Sequence, residues 1–433
     1  MHLINEKQDI AVSAGTFQSL DATLVPSPRK LNIGVVGIGR IGRQHALNAL
    51  HHVPQTRLTC ICDVQAENLK WAAQHLAPYG VVIYQSMDTM LNHPNLEALI
   101  IASPTHLHHT HLTAALTRDN LHILCEKPLA ATAAQARSLL ALTARPEHAD
   151  KKIMTAYCRR FDPSYTHALA AIHNGKIGMP VVIRAENRDR FDPSESQLQY
   201  LLSSPGIFVD AGIHDVDLSL AVLGSGARPR ACFAVGTVAG YSRLGGSGNG
   251  DVDNGVGVVE WFPARDGTDG GEGVAPISYY YVSRTMAHGF DNPTEITGTK
   301  GTLKINLHPR RDLVEVADGS GLGNEVVRDF YERYERAFVK ELECFADCCL
   351  NGMELPYGLE TAVKGLEIAE ALQESLRTGR KIVWDEQGRR KHDCDGQNEC
   401  DYSDVSKVGN ATKAIVVNGV EDGISDGAAN SCK

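Results

Sequence analysis

Residues 31–52 read LNIGVVGIGRIGRQHALNALHH, an apolar run that opens into three glycines and continues as a helix-forming stretch. Gly37, Gly39 and Gly42 have the spacing GxGxxG. Gly37 permits a tight turn, Gly39 lets the backbone approach a pyrophosphate, and Gly42 lets strand and helix pack closely. Phosphates would then sit on the free N–H groups at the helix start, around Arg40, Ile41 and Gly42. Such a motif says little alone; here it follows a strand and opens a helix, as a dinucleotide site requires.

The same rhythm continues outward. RLTCICD (57–63) is a second strand with a helix after it to about Leu76, and VVIYQS (81–86), EALIIAS (97–103), LHILCEKP (121–128) and KIMTAYCRR (152–160) supply further strands between helical stretches. Strand and helix in alternation predict a doubly wound parallel sheet with helices on both faces. The second strand ends at Asp63, twenty-one residues after Gly42. An acid there accepts hydrogen bonds from ribose hydroxyls and repels a 2′-phosphate. Neither Val64 nor Gln65 is cationic, so NAD is favoured over NADP. Asp63 as the cap of the following helix is the other reading, compatible with the first.

After Cys158 the pattern alternates apolar and polar residues in 179–191, 230–242, 255–262, 277–287 and 301–307, as antiparallel strands covered on one face do. Two helical stretches follow, about 324–350 and 358–377. The expected plan is a mobile extension over 1–30, a Rossmann domain over 31–155, and an α+β domain with a large, mainly antiparallel open sheet over 156–384. The stretch 385–433 reads as a disordered tail, with ten acids against six bases and little period.

Composition narrows the function. A chain of 433 residues, 43% hydrophobic and 22% charged, carries a formal net charge of −10. No basic surface is present for a nucleic-acid partner, and no apolar run approaches the roughly eighteen residues of a membrane span. The first thirty residues have no apolar core of a secretory leader. Eleven cysteines without framework spacing point to a reducing, cytoplasmic home.

Two stretches carry chemistry. Glu126-Lys127-Pro128 ends a parallel strand, the edge where such sheets bind ligands. The Lys127 ammonium could hold a substrate hydroxyl there; pairing with Glu126 or with solvent is the plainer alternative. FVDAGIHDVDL (208–218) packs three aspartates and a histidine into eight residues. Asp210 and His214 are four apart and share one face of a helix. An aspartate on one ring nitrogen would orient the imidazole, leaving the other to take a hydroxyl proton. Alternatively, Asp210 only caps the helix and His214 is a core residue.

GVVGIGRIG, the CEKP lysine and DAGIHDVDL together resemble the glucose–fructose oxidoreductase/inositol dehydrogenase/MocA family, and inositol 2-dehydrogenases within it. The resemblance covers roughly residues 31–384 and extends to AYCRRFDPSY (156–165), NRDRF (187–191) and HGFDNPTEITGTKGTL (288–303). It implies a nicotinamide cofactor between the two domains and catalytic roles for Lys127, Asp210 and His214. It sets Ser103, Pro104, Thr105, His106, Glu126 and Lys127 beside the cofactor, and Arg159, Asn187 and Asp189 with Lys127, Asp210 and His214 near the substrate. The histidines of SPTHLHHTH (103–111) lack a completing cysteine or acid, so no metal is expected. The expectation is an NAD-dependent dehydrogenase of a cyclic polyol or sugar, assembled as a homo-oligomer, tetramer or dimer. The alternatives are an NADP-linked sugar or diol dehydrogenase of this fold and a non-catalytic cofactor-binding regulator.

Overall fold

The computed structural model describes residues 29–245, 250–263 and 274–391. Most of the expected N-terminal extension, the tail beyond Lys391 and parts of two glycine-rich loops lie outside these residues. The first sheet contains β1 (Leu31–Val36), β2 (Thr56–Cys62), β3 (Val82–Tyr84), β4 (Ala98–Ile101), β5 (His122–Glu126) and β6 (Ile153–Ala156). Its order is β3-β2-β1-β4-β5-β6, and every pair is parallel. Helices α1 (Arg40–Leu47), α2 (Ala66–His75), α3 (Met87–Leu91), α4 (Thr105–Leu116) and α5 (Ala133–Thr143) connect the strands. All four residues of β4 are buried, as expected of a strand covered on both faces. Strand order reverses between β1 and β4, which opens a crevice beyond their carboxyl ends.

The chain then crosses through α6 (Pro163–His173), capped by Asp162, whose carboxylate accepts from Ser164 N and Tyr165 N. Strand β7 (Pro180–Arg190) follows, then α7 (Glu195–Ser203), α8 (Ile213–Leu223), β8 (Pro229–Thr237), α9 (Ser242–Gly245), β9 (Asn254–Trp261), β10 (Ile277–Met286), β11 (Thr294–Gly298) and β12 (Gly301–Ile305). A small hairpin of β13 (Val316–Asp318) and β14 (Gly321–Gly323) leads to α10 (Phe330–Asn351), α11 (Leu359–Thr378) and β15 (Ile382–Val383). The second sheet runs β12-β11-β7-β10-β9-β8-β15. Only β7 and β10 pair in parallel; the other pairs are antiparallel. Burial alternates strictly along β9, the period-two signature of a sheet covered on one face.

Helices α10 and α11 serve both halves. Leu342, Phe345 and Ala346 of α10, with Leu366 and Ala369 of α11, join the core of the first sheet. Ile368 and Leu372 of α11 join that of the second. The Tyr357 hydroxyl, between the two helices, donates to the Thr155 carbonyl at 2.8 Å. Both sheets therefore belong to one compact unit, which runs through Arg390. Beyond Trp384 the chain makes a turn, where Arg389 Nε donates to Asp385 at 2.8 Å and Arg390 to Glu374 at 2.7 Å. The described cysteines are free thiols, and no described helix is long and apolar enough to cross a membrane.

A buried hydroxyl chain fixes α8 to the second sheet. Trp261 Nε1 donates to Ser278 Oγ at 2.8 Å, and Ser278 and Tyr280 both donate to Ser219 Oγ, at 3.1 and 2.8 Å. Ser219 passes its own proton to the Asp215 carbonyl, 3.1 Å away. Ser219→Ala strands two buried donors, so unfolding free energy should fall by about 1–3 kcal/mol. Chemical denaturation with an unchanged slope would measure that loss.

Candidate active site

The glycine loop begins where β1 ends. Gly37 has a φ of +87°, and a Cβ there would lie 2.5 Å from Ser103 N. A Cβ on Gly42 would overlap the Gly37 carbonyl oxygen, whereas one on Gly39 would meet nothing within 4 Å. Gly37 and Gly42, the first and third glycines, are thus required by the protein itself, while Gly39 faces open space. Helix α1 has no side-chain cap, so its leading N–H groups are available to an anion. Asp63 Oδ2 accepts from Ile38 N at 2.6 Å and from Asn68 Nδ2 at 3.1 Å; its Oδ1 accepts from Gln65 N at 2.7 Å. The carboxylate therefore clamps the loop and the turn after β2 together. Of the other expected cofactor contacts, Ile41 is partly buried against the core, and the Arg40 guanidinium lies 5.4 Å over the Phe330 ring.

The ends of β4 and β5 are tied by a histidine. His108 is buried, with Nδ1 2.8 Å from the Pro128 carbonyl and Nε2 2.8 Å from the Ser103 carbonyl. Ser103 Oγ meets His111 Nδ1 at 2.9 Å, while Pro104 and His106 are exposed and Thr105 is half-buried. Two of the four histidines are thus spent on hydrogen bonds within this loop. Glu126, buried at the end of β5, contacts His45 Nε2 at 2.8 Å and accepts from Lys127 N at 3.0 Å.

Because Glu126 is engaged in this way, the Lys127 ammonium points elsewhere. Its Nζ donates to the Asp210 backbone carbonyl at 2.9 Å and lies 3.7 Å from Asp210 Oδ1. Asp210 belongs to a π-helical turn, Phe208–Gly212, that leads into α8. The Phe208 ring fills the space over Gly212, Gly255 and Gly257, where a Cβ would come within 3.0–3.1 Å of it.

The expected hydrogen bond between Asp210 and His214 does not form. Asp210 Oδ1 instead accepts from the Tyr200 hydroxyl at 2.7 Å, and Oδ2 from Arg284 Nη2 at 3.2 Å. Two cations compete for this carboxylate, and charge-assisted bonds to them outweigh one to a neutral ring. Burial alone would raise the Asp210 carboxyl, but Lys127, Arg284 and the Tyr200 hydrogen bond together hold it below its ordinary value. His214 sits edge-on to the Tyr157 ring at 6.4 Å between centroids. Burial, then the cations of Lys127 and Arg159, push its pKa well below the usual value. The imidazole is therefore held in its neutral form at neutral pH, with a lone pair free on one ring nitrogen.

The neighbouring charges are paired more simply. Arg159, buried, donates to Asp215 Oδ1 at 2.7 Å; burial pushes the Asp215 carboxyl up to about 6 against the pull of that arginine. Arg160 holds Asp217 bidentately, at 2.8 Å for each bond. Asn187 Nδ2 donates to the Ala211 carbonyl at 3.1 Å, while its buried Oδ1 has no protein partner. Asp189 is half-buried; burial raises its carboxyl, partly opposed by Arg284. The fold thus gathers Lys127 from the end of β5, Asp189 from β7, Asp210 from the π-helical turn, His214 from α8 and Arg284 from β10 around one point of the crevice.

Sequence reading passed over Arg284 and Tyr200. Arg284 shares strand parity with Tyr280 and Val282, both buried on β10. A charged residue at an inward position was a legible signal. Tyr200 lies on α7 and had none. Among the described residues, no three His, Cys, Asp or Glu side chains group as metal ligands.

Comparison with known proteins identifies relatives of this chain and of its fold. Residues 31–150 match the model of an oxidoreductase family with an NAD-binding Rossmann fold, and 170–383 match its C-terminal α/β domain. A myo-inositol 2-dehydrogenase of Thermotoga maritima is 30% identical over 82% of this chain and 99% of its own. A scyllo-inositol 2-dehydrogenase (NAD(+)) of Bacillus subtilis is 28% identical over 82% of this chain and 97% of its own. The crystal structure of scyllo-inositol dehydrogenase from Lactobacillus casei with bound NAD(H) and scyllo-inositol superposes with a TM-score of 0.74. It is 28% identical and covers 82% of this chain and 99% of that one.

The glycines offer a direct check. Gly42→Ala should destabilise the protein by about 1–3 kcal/mol through overpacking. Gly39→Ala should leave the melting temperature unchanged yet weaken NAD binding at least tenfold, as read by calorimetric titration.

Proposed function

The chain belongs to the glucose–fructose oxidoreductase/inositol dehydrogenase/MocA oxidoreductase family, and from that premise we propose that it oxidises a secondary hydroxyl of a cyclic polyol, an inositol in the first instance, with NAD. The observation that carries the reading is the convergence of an ammonium, Lys127, and a neutral imidazole, His214, beside the crevice of an NAD-binding sheet. The loop over Gly37, Gly39 and Gly42 fits a dinucleotide, because its second glycine is open and its helix start uncapped. NAD bound there supplies the hydride acceptor. Asp63, already at the end of β2, would receive a ribose hydroxyl on the remaining lone pair of Oδ1 and repel a 2′-phosphate.

The protein's own task is the proton. Lys127 holds the reacting hydroxyl oxygen and stabilises the negative charge that grows on it. A ring nitrogen of His214 takes the hydroxyl proton as the carbon gives up its hydride, leaving a ketone. Asp210 positions Lys127 instead of orienting His214. Asn187 Oδ1 and Asp189 are the acceptors assigned to further hydroxyls of the polyol, since both lie by the same turn. Neither a regulator nor a simple cofactor carrier has a chemical need for this lysine and histidine.

A panel of inositols and aldoses assayed with NAD and with NADP tests the proposal. An inositol oxidised with NAD at least tenfold more efficiently than with NADP is expected; equal use of both cofactors would contradict the role given to Asp63. His214→Ala should lower kcat about a hundredfold or more with NAD affinity retained, and Lys127→Ala should lower kcat and raise KM together. Because the folded His214 pKa lies below the ordinary histidine value, the base stays available as pH falls to 6.5. The rate should therefore show no loss from His214 protonation until more acid pH.

The same reading includes self-association. Val182, Ile277, Phe233 and Val235 lie exposed along the outer strand faces of the second sheet, an apolar surface suited to a second copy. Light scattering should return a dimer or tetramer, and a monomer at micromolar concentration would refute this part.

A further inference from the structure

Arg284 is almost wholly buried, with a relative exposure of 2%. A buried guanidinium beside a lysine of the same sign is costly unless carboxylates are shared between them. Its Nη2 donates to Asp210 Oδ2 and its Nη1 to Asp251 Oδ2, each at 3.2 Å. Asp251 is itself an anchor, because its Oδ1 accepts from Ile207 N at 2.9 Å and from Gln373 Nε2 at 3.1 Å. Gln373 Oε1 in turn accepts from Phe208 N at 3.1 Å. Ile207 and Phe208 begin the π-helical turn that carries Asp210. Gly206 precedes them with a φ of +121°, and a Cβ there would collide with Gln373. Asp251, Gln373 and Arg284 thus hold both the main chain of this turn and the carboxylate that it presents.

We propose that Arg284, anchored on Asp251, is a positioning residue for the polyol reaction: it shares the Asp210 carboxylate with Lys127 and so fixes where the lysine ammonium stands. The inference rests on the reading that Lys127 holds the reacting oxygen. Asp210 is faced by Lys127 from the end of β5, Arg284 from β10, Tyr200 from α7 and Asp189 from β7. His214 follows on α8, and Arg40 of α1 acts on Asp189 and Tyr200. Arg284 bridges two carboxylates, Asp210 and Asp251, and Lys127 reaches the first of them. Removing Arg284 leaves the Asp210 carboxylate with Lys127 and the Tyr200 hydroxyl, so burial and the neighbouring Asp189 raise its pKa from the value it holds with Arg284. A protonated Asp210 keeps only its main-chain carbonyl to hold Lys127, without the charge that fixes the ammonium beside it.

The variant Arg284→Met tests the proposal. Its kcat should fall at least tenfold, loss of rate on acidification should begin at higher pH, and NAD affinity should stay within threefold of the unaltered protein. Arg284→Lys keeps the charge but lacks the planar fork that reaches the two carboxylates from separate nitrogens, so it should recover part of the rate and move the acid limb less. A kcat within twofold and an unmoved acid limb in Arg284→Met would overturn the proposal. Should that variant fail to fold, Arg284→Lys decides alone, and unaltered kinetics in it would have the same force. If the unaltered protein turns over no polyol, the functional reading fails separately. The 13C titration of the Asp210 carboxyl still applies in that case: an upward move in the variant supports the positioning role, and no move refutes it.

Discussion

Lys127 and Asp210 are 83 residues apart, and the contact between them joins the carboxyl end of a parallel strand to a turn in the layer over the second sheet. A lysine ammonium at half-buried depth needs acceptors, and Glu126, its sequence neighbour, is occupied by His45 and by the Lys127 main chain. The ammonium is therefore directed across the crevice. The relative placement of the glycine loop and the Phe208–Gly212 turn depends on that choice of partner.

The turn itself stands where it does because large and absent side chains are matched. Phe208 lies in the space left by three glycines, two of them on β9, so the turn approaches the sheet more closely than any residue with a Cβ would allow. Asp251 and Gln373 satisfy the main-chain N–H groups at its start, and the Ser219 hydroxyl chain fixes the helix that follows. Helix α11 then closes the molecule by entering the cores of both sheets, and α10 joins the first core and packs Ala337 and Phe338 into a cluster with Ile183 of β7 and Ile296 of β11. The crevice is bounded by two sheets with shared packing, which limits independent movement of its walls.

Electrostatics divides the labour within the crevice. His214 is surrounded by cations and apolar surface, which keep it neutral. Asp210, a few ångströms along the chain, is surrounded by cations and hydrogen-bond donors, which keep it ionised. The two residues have opposite environments although they are four apart in sequence, because the carboxylate points back toward α7 and β10 and the ring points toward Tyr157.

Much of this was legible in the chain alone. The GxGxxG loop after a strand, the acid at Asp63, the strand-end Lys127 and the change of period after Cys158 depend on local periodicity and on the intrinsic needs of turns and helix starts. Those features survive in sequence because neighbours along the chain decide them. The partner of Asp210 was not legible. Spacing made His214 available to it, but Tyr200 and Arg284 reach the carboxylate from elements that only tertiary packing brings near, and a cation bonded to a buried carboxylate prevails over a neutral ring. Arg284 left a trace in the parity of β10, yet parity names a face and not what lies opposite. The passage of α10 and α11 between two cores left still less, since an amphipathic pattern shows that a helix face is buried without showing in which core. The fold class and the positions of the glycine loop, Asp63 and Lys127 were thus written in local sequence, and the partners of Asp210 were decided by long-range packing and by competition among buried charges.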